Sequence, residues 1–362
     1  MQESTVRFRD PNYYFHDGSL VLLVEDVLFK VQMSRISNRL DVFKDMLELP
    51  SGVDGAEGTS DLNPVILPQV TPDEFRNLLY LFYESPLSPG FVTFISGALG
   101  NESQWPDIFK RYLDIAKLAR RFCMTETEEW AQEQLREITG SLSPPVDWMT
   151  HTDALSALSY FKLCDADSSD DEHIRKVRNL AYFAIHRSSR EVLLELYKSP
   201  PAEIDRALSG FVFVRMLVSA GHKSPTWARL SWVERATLYA GQVHLTPLPT
   251  SFPFCDLASA DSIISVVEED STNIEVCSKT TEILKEVWEI ASISWNSSLP
   301  LEGVISIRNM LWARRKLEIQ LKSALCLCKQ SFCHDPLLAR LDGLIEILFV
   351  ELASLRDRLS DQ

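Results

Sequence analysis

The sequence has no uninterrupted apolar run of about 18 residues, the length that a membrane-spanning helix requires. It also lacks the apolar segment of a secretion signal, because its first ten residues, MQESTVRFRD, are mostly charged or polar. The seven cysteines are an odd number, which in a chain without a secretion signal is typical of reduced thiols. We therefore expect a protein without membrane contact, located in the cytoplasm, the nucleus or both.

Sequence signatures of common catalytic sites are missing as well. There is no glycine-rich phosphate loop, no dinucleotide-binding glycine motif, no His-Glu-x-x-His and no Gly-x-Ser-x-Gly. The histidines are scattered, mostly at expected loops and helix ends. We therefore expect neither a cofactor nor enzymatic activity. The alternative of another class is a helical enzyme domain within 140–362, which carboxylates or histidines converging in a pocket would favour.

Positive charge is scarce relative to negative charge. The chain has 36 Lys and Arg residues against 51 Asp and Glu residues, a net charge of −15. The acidic excess is spread over both halves, and the best basic cluster is the short run from Arg314 to Lys316. Because a nucleic-acid surface needs clustered basic residues to neutralise phosphates, we expect no nucleic-acid partner.

One cysteine-rich stretch has the residue types of a metal site. Cys326, Cys328, Cys333 and His334 lie within nine residues. Zinc sites usually divide their ligands between two knuckles separated by a loop, and no second cysteine pair lies nearby in the sequence. On a helix, Cys328 would also leave the face that Cys326 and Cys333 share. Buried thiols are therefore favoured over a metal ion.

Two short apolar runs, Leu20–Val24 and Val27–Val31, lie on either side of the acidic pair Glu25 and Asp26. Both are rich in Val, Leu and Phe and are too short for helices, so they predict a β-hairpin. A third short strand is expected at 65–67, after a glycine-rich loop.

Helical patterns complete this first region. Thr71 and Glu74 form a capping-box pattern at the start of one helix. Apolar residues then recur at helical spacing, interrupted by a turn-rich insert over 86–106. The predicted fold class is α+β, with a small sheet flanked by helices over 11–139.

The rest of the chain shows helical periodicity. Ser188 and Glu191 form a second capping-box pattern, and Gly241 is placed to end a helix. Three prolines follow shortly after that glycine and indicate a break. We therefore predict an all-helical C-terminal region in two parts, 145–244 and 260–362.

The last predicted helix carries apolar residues spaced three and four apart, the pattern of a coiled-coil seam. They are Leu338, Leu341, Ile345, Leu348, Leu352, Leu355 and Leu359. Further apolar residues make the apolar face wider than a simple zipper requires. A helix packed within the chain is therefore favoured over an intermolecular coiled coil.

Four segments of the first region resemble the BTB/POZ family, in the order in which that family has them. They are LFKV at 28–31, VFKDM at 42–46, VILPQVTPDEF at 65–75 and YLDIAKLARRFCM at 112–124. The glycine-rich loop is similar to that of the large fungal BTB families. Two departures are Gln32, where the family often has histidine, and an insert that is longer than in compact animal domains.

The resemblance implies a protein-interaction module that associates with a second copy of itself. BTB domains commonly bury their N-terminal strand and first helix in such a homodimer. The residues expected at this interface are Arg7, Phe8, Phe15, Met33 and Ile36.

The resemblance also implies a role as substrate adaptor of a cullin-type ubiquitin ligase. Met46 and Glu48 resemble the hydrophobic-x-glutamate segment with which some BTB proteins bind a cullin scaffold, although packing at a helix end explains them equally well. The alternative is a homodimeric scaffold or transcriptional co-regulator without a ligase. The substrate protein is not specified by the sequence.

Overall fold

The structure is a computed structural model in which the chain divides into two compact units, Met1–Leu142 and Ser143–Gln362, here the N-terminal and C-terminal units. The N-terminal unit combines a small sheet with helices, and the described part of the C-terminal unit is helical, in agreement with the α+β class. The domain limits 11–139, 145–244 and 260–362 stay predictions. The residues that the structure describes are 7–37, 57–95, 104–141, 148–164, 171–221, 223–251, 253–270, 277–292, 299, 301–323 and 334–361.

A mixed four-stranded sheet with the order β1-β3-β2-β4 forms the centre of the N-terminal unit. The predicted hairpin is confirmed: β2 and β3 pair antiparallel, and Glu25 at the turn has a φ of 55°. β1 pairs parallel to β3, and β4 pairs parallel to β2. The strands are β1 (Phe8–Tyr14), β2 (Leu20–Val24), β3 (Val27–Val31) and β4 (Val65–Ile66).

Both faces of the central hairpin are apolar, so it forms core on two sides. On one face the ring of Phe29 meets the ring of Phe75 edge-on, with 5.0 Å between the ring centres. On the other face Val21, Leu23 and Leu28 form a smaller buried cluster. Burial on both faces explains why β2 is apolar at every position.

Five helices are described in the N-terminal unit: α1 (Met33–Ser37), α2 (Pro72–Tyr83), α3 (Pro89–Ile95), α4 (Trp105–Arg121) and α5 (Thr125–Ser141). The capping box of α2 is confirmed, because Thr71 and Glu74 exchange side-chain-to-backbone hydrogen bonds.

Helix α3 corrects one expectation, because it lies where the sequence predicted a turn-rich insert. Its Phe94 is buried and stacks on Tyr112, with 4.8 Å between the ring centres. Aromatic packing against α4 therefore outweighs the turn-forming residues that flank this segment.

The described helices of the C-terminal unit are α6 (His151–Cys164), α7 (Asp171–Arg187), α8 (Arg190–Lys198), α9 (Arg206–Ser219), α10 (Pro225–Ala228), α11 (Trp232–His244), α12 (Ala260–Asp270), α13 (Ser278–Ser292), α14 (Glu302–Ser323) and α15 (His334–Ser360). Helix α15 packs against α7, α9, α11, α12 and α14. Throughout the described ranges, every helix is too short or too polar to cross a bilayer.

The heptad positions of α15 face the interior of this unit. Leu341 and Leu348 are 0% exposed, and the seam is buried from Leu338 to Leu355. Gly210 on α9 allows an unusually close approach, because a Cβ atom there would lie 1.8 Å from the Phe349 carbonyl oxygen. The expectation of a helix packed within the chain is therefore confirmed.

Two predicted helix boundaries are wrong. Helix α8 is capped by Ser189 rather than Ser188, because the Ser189 side chain accepts the hydrogen bond from Val192 N. Gly241 does not end a helix: it lies within α11, where a Cβ atom would come 2.7 Å from the ring of Phe213. This glycine is needed for close helix packing.

A buried ion-pair network joins α7, α14 and α15. Arg314 donates two hydrogen bonds to the Asp342 carboxylate, at 2.6 and 2.7 Å, and a third to Glu318. Asn179 donates to the same carboxylate at 3.1 Å, and Lys322 donates to Glu318 at 2.8 Å. The two buried charges, Arg314 and Asp342, therefore have partners that offset the loss of water.

Candidate interaction surface

Three half-buried aromatic rings, Tyr13, Phe15 and Tyr83, form a cluster on the N-terminal unit, called the aromatic patch. Phe15 stacks on Tyr83 with 4.8 Å between ring centres and 26° between ring planes. Tyr13 lies 6.3 Å from Phe15 and 6.1 Å from Tyr83. The partial exposure of all three rings leaves apolar surface open to contact.

Backbone hydrogen bonds fix the elements that carry the patch. Phe15 follows β1, and its N–H donates to the Lys30 carbonyl of β3 at 2.8 Å. Gln32 follows β3, and its N–H donates to the Tyr83 hydroxyl at 3.0 Å. The ends of β1, β3 and α2 therefore converge at this place, although 68 positions separate Phe15 from Tyr83 in the chain.

A cation lies beside the Tyr83 ring, and a methionine follows Gln32 in the chain. The guanidinium carbon of exposed Arg35 is 5.1 Å from the centre of the Tyr83 ring, and Arg35 also donates to the Phe82 carbonyl at 3.2 Å. Half-buried Met33 begins α1, with its N–H donating to Ser19 Oγ at 3.1 Å. Aromatic residues, methionine and arginine are the side chains enriched at protein–protein interfaces.

Burial raises the pKa of Tyr13 and of Tyr83. For Tyr83 the Gln32 N–H and the Arg35 charge act in the opposite direction, and burial still outweighs them. Both side chains are therefore neutral phenols at pH 7 and present apolar rings with a hydroxyl.

A buried carboxylate holds β1 in the shape that places Tyr13. Asp10 accepts hydrogen bonds from the N–H groups of Asn12 and Tyr13, at 2.9 and 2.8 Å, and from Arg76 Nε at 2.7 Å. This local turn interrupts the pairing of β1 with β3. The aspartate could have been found in the sequence as a turn-forming residue, but its partner on α2 could not.

The residues predicted for the homodimer interface do not form one patch. Phe15 lies in the aromatic patch. Met33 directly follows Gln32, whose N–H donates to the Tyr83 hydroxyl. Arg7 and Phe8 are at the opposite end of β1. Phe8 pairs with Val27 and Tyr14 with Lys30, a separation of roughly 10 Å along β3 at the usual rise per strand residue. Phe8 is 57% exposed, and Arg7 donates to the Asp61 carbonyl at 3.0 Å.

The prediction that Ile36 lies at the homodimer interface is corrected by the structure. Its side chain is only 1% exposed, so it belongs to the interior of the N-terminal unit and offers no surface to a second chain. An apolar residue on a short helix beside a sheet satisfies the same sequence pattern whether it faces the core or a partner.

Several predicted residues lie outside the described part of the chain. They include the adaptor residues Met46 and Glu48 and the cysteines Cys326, Cys328 and Cys333. Within the described ranges no three His, Cys, Asp or Glu side chains are grouped as a metal site.

The C-terminal unit has a charged cleft of about 380 Å³ between α7, α14 and α15. Four of its lining residues are carboxylates, which is the pattern that would favour the enzyme alternative. Burial alone would raise the pKa of Glu318, but Arg314 and Lys322 outweigh it and leave this pKa below its ordinary value. Lys176 likewise lowers the pKa of Glu172. These ion-paired carboxylates suit a structural network better than a general acid, which needs a raised pKa.

The comparisons with known proteins provide no family for this chain. Neither the family models, nor the curated proteins, nor the solved structures contain a match to it.

Proposed function

We propose that the chain is a BTB-type protein-interaction module that associates with a second copy of itself through the N-terminal unit. The observation that carries this proposal is the aromatic patch, a cluster of partly exposed rings held by hydrogen bonds from three elements. The segments LFKV, VILPQVTPDEF and YLDIAKLARRFCM, on which the resemblance rests, supply β3, β4 with the start of α2, and most of α4.

The patch suits binding because its side chains are already ordered. Phe and Tyr have two side-chain torsions, and stacking with a neighbour restricts them before a partner arrives. Less conformational entropy is then lost on association, so more of the contact free energy remains as affinity.

Contact through side chains fits this edge of the sheet better than strand addition does. β1 lies at the edge of the sheet, but its pairing is irregular and it contains Pro11, which has no N–H to donate. A two-fold dimer would place the aromatic patch of one copy against the same surface of its partner, so one substitution acts twice.

The proposal predicts that two differently tagged copies of the full chain are recovered together. Phe15→Asp places a charge within the patch and should abolish co-recovery. Leu87→Asp is the matched control, because it makes the same change of charge at a residue of the same unit that is 90% exposed. Equal loss in both variants, or no co-recovery of wild type, would contradict the proposal.

The adaptor role is a narrower proposal that rests on the resemblance of Met46 and Glu48. It predicts that a cullin scaffold co-purifies with the wild-type chain and that Met46→Asp weakens this by about 2 kcal/mol or more, as for an interface hot spot. Absence of cullin with wild type would leave the homodimeric scaffold or transcriptional co-regulator.

A further inference from the structure

One face of α11 carries large apolar side chains that are open to solvent. Its opposite face is buried where the helix packs on α9 and α15. At 100° per residue, the exposed apolar positions fall on a single line along the helix. We call this line the α11 stripe; its members are Trp232 (80% exposed), Ala236, Tyr239 (51% exposed) and Val243 (75% exposed).

The α11 stripe is large for an exposed apolar surface. An aromatic side chain presents roughly 150–250 Å², so the exposed parts of Trp232, Tyr239 and Val243 amount to on the order of 400 Å². Exposed apolar patches of this size are often functional. Trp and Tyr are also the residue types in which the binding free energy of protein interfaces is concentrated. The stripe therefore has the size and composition of a docking surface.

Basic side chains border the start of the α11 stripe. Arg235 Nε and Nη2 donate to the carbonyls of Trp227 and Ala228, at 3.1 and 3.3 Å. Lys198 Nζ donates to the Arg229 carbonyl at 3.2 Å, and the Arg229 side chain is exposed. Within the described ranges, none of these three cations forms an ion pair with a carboxylate. Their charges are therefore available to a partner.

Two carboxylates of this region are already bonded at helix starts. Glu234 lies on the side of α11 away from the stripe and accepts the Ser231 N–H in a capping box. Hydrogen bonds from its own N–H and from Ser189 lower the pKa of Glu191, and the charge of Arg229 lowers it further. The stripe itself contains no acidic residue, although the net charge of the chain is −15. This surface is therefore apolar with a basic border on an acidic protein.

We propose that the α11 stripe binds an acidic amphipathic helix of a partner protein. The stripe is straight, convex and roughly 16 Å long at the usual rise per residue, so a second helix laid along it makes continuous contact. Apolar residues of that helix, spaced three and four apart, would pack on Trp232, Tyr239 and Val243. Its Asp and Glu residues would lie beside Arg229 and Arg235 and steer its approach.

The charges of this region disfavour two other occupants. A two-fold contact of the stripe with its copy would bring no carboxylate of the stripe opposite Arg229 and Arg235, which would lose water without gaining a partner. An anionic membrane surface would repel the net charge of −15 and would be attracted by only a few basic residues. The proposed self-association belongs to the N-terminal unit and is independent of this inference.

Fluorescence polarisation of the full chain with two labelled helical peptides of about 18 residues tests the proposal. Both peptides carry the same leucines at helical spacing, and their flanking positions are glutamate in one and lysine in the other. The glutamate peptide should bind saturably, and the lysine peptide should bind about tenfold more weakly or less. Arg229→Glu should weaken binding of the glutamate peptide about tenfold and strengthen binding of the lysine peptide, because it reverses a charge beside the stripe.

Val243→Asp places a negative charge on the stripe and should weaken binding of the glutamate peptide about tenfold or more. Leu163→Asp is the matched control, because it makes the same change of charge at a residue of α6 that is 61% exposed. It should leave binding unchanged. Failure of wild type to bind the glutamate peptide, equal binding of the lysine peptide, or equal weakening by Leu163→Asp would overturn the proposal.

Two further measurements separate the partner helix from the other occupants. The mass of the chain in solution should be the same for wild type and Val243→Asp; a lower mass of the variant would assign the stripe to a second copy and overturn the proposal. Vesicles of phosphatidylserine and phosphatidylcholine should not sediment with the wild-type chain. Sedimentation with the vesicles that Val243→Asp abolishes would assign the stripe to a lipid surface and overturn the proposal as well.

Discussion

Gly210 and Gly343 are both helical glycines, but their surroundings differ. A Cβ atom at Gly210 would lie 1.8 Å from the Phe349 carbonyl oxygen and 3.0 Å from Ala353 N, both in the backbone of α15. Backbone atoms cannot move aside without separating the two helices. Gly210→Ala should therefore lower the free energy of unfolding by about 1–3 kcal/mol or more, measured by urea denaturation.

Gly343→Ala is the control for helix propensity. No atom lies within 4 Å of a Cβ atom placed at Gly343, so the added methyl group meets open space. The substitution should raise the free energy of unfolding by about 0.5–1 kcal/mol, because alanine loses less backbone entropy than glycine in a helix. Equal effects at the two positions would contradict the close packing of α9 on α15.

Protonation of Glu318 should make the free energy of unfolding depend on pH. Burial acts to raise its pKa, but Arg314 and Lys322 lower it below the ordinary value of 4.5 in the folded chain. A depressed folded-state pKa contributes stability above the unfolded pKa, and this contribution is lost as the pH falls through the folded pKa. Between about pH 5 and 3, Glu318→Gln should therefore lose less free energy of unfolding than wild type does.

The control for Glu318 is a surface ion pair of the same unit. Glu282 is bonded to Lys279 at 2.9 Å, and its side chain is 70% exposed. Glu282→Gln should leave the dependence of stability on pH close to that of wild type, because exposed pairs contribute little. If both variants weaken the dependence of the free energy of unfolding on pH, the buried network is not the source of that dependence.

At the scale of elements, two tryptophans distinguish a packed helix face from an exposed one. Trp288 on α13 is 1% exposed, and its indole N–H donates to the Leu257 carbonyl at 2.9 Å. Trp232 at the start of α11 is 80% exposed. Trp288→Ala should lower the free energy of unfolding by about 3–5 kcal/mol, and Trp232→Ala should change it by less than about 0.5 kcal/mol. Equal losses would contradict the placement of α11.

The strands that can be predicted from the sequence are those that are buried on both faces. β2 and β3 are apolar on both faces, so their limits can be read from composition. β1 is not visible in the same way, because Asp10 and Pro11 interrupt it and Asp10 is bonded to Arg76 of a distant helix. Helix α12 lies at the start of the predicted helical region 260–362, but its acidic end obscures the apolar face that α13 and α15 cover.

The candidate site was predictable in part. Of the five interface residues that the resemblance implies, Phe15 lies in the aromatic patch and Ile36 is buried. Tyr13 and Tyr83 were not singled out, because the contact between the end of β1 and the end of α2 is a tertiary one. Ile36 belongs to the predicted interface because spacing alone does not say which of two apolar surfaces a short helix covers.

At the scale of the whole molecule, the C-terminal unit is organised around α15. This helix of 27 residues uses its heptad seam inside the unit, where it packs on five other helices. Self-association is therefore expected from the N-terminal unit rather than from a zipper at the C-terminal helix.

The most direct test of the proposed self-association is the mass of the full chain in solution, measured by light scattering at micromolar concentration. The proposal predicts twice the 41.2 kDa of one chain for wild type. Phe15→Ser and Arg35→Glu should shift the mass toward one chain while circular dichroism shows the fold intact, and Leu87→Ser should not. A wild-type mass of 41.2 kDa would contradict the proposed self-association. A dimer whose mass neither Phe15→Ser nor Arg35→Glu changes would contradict it as well.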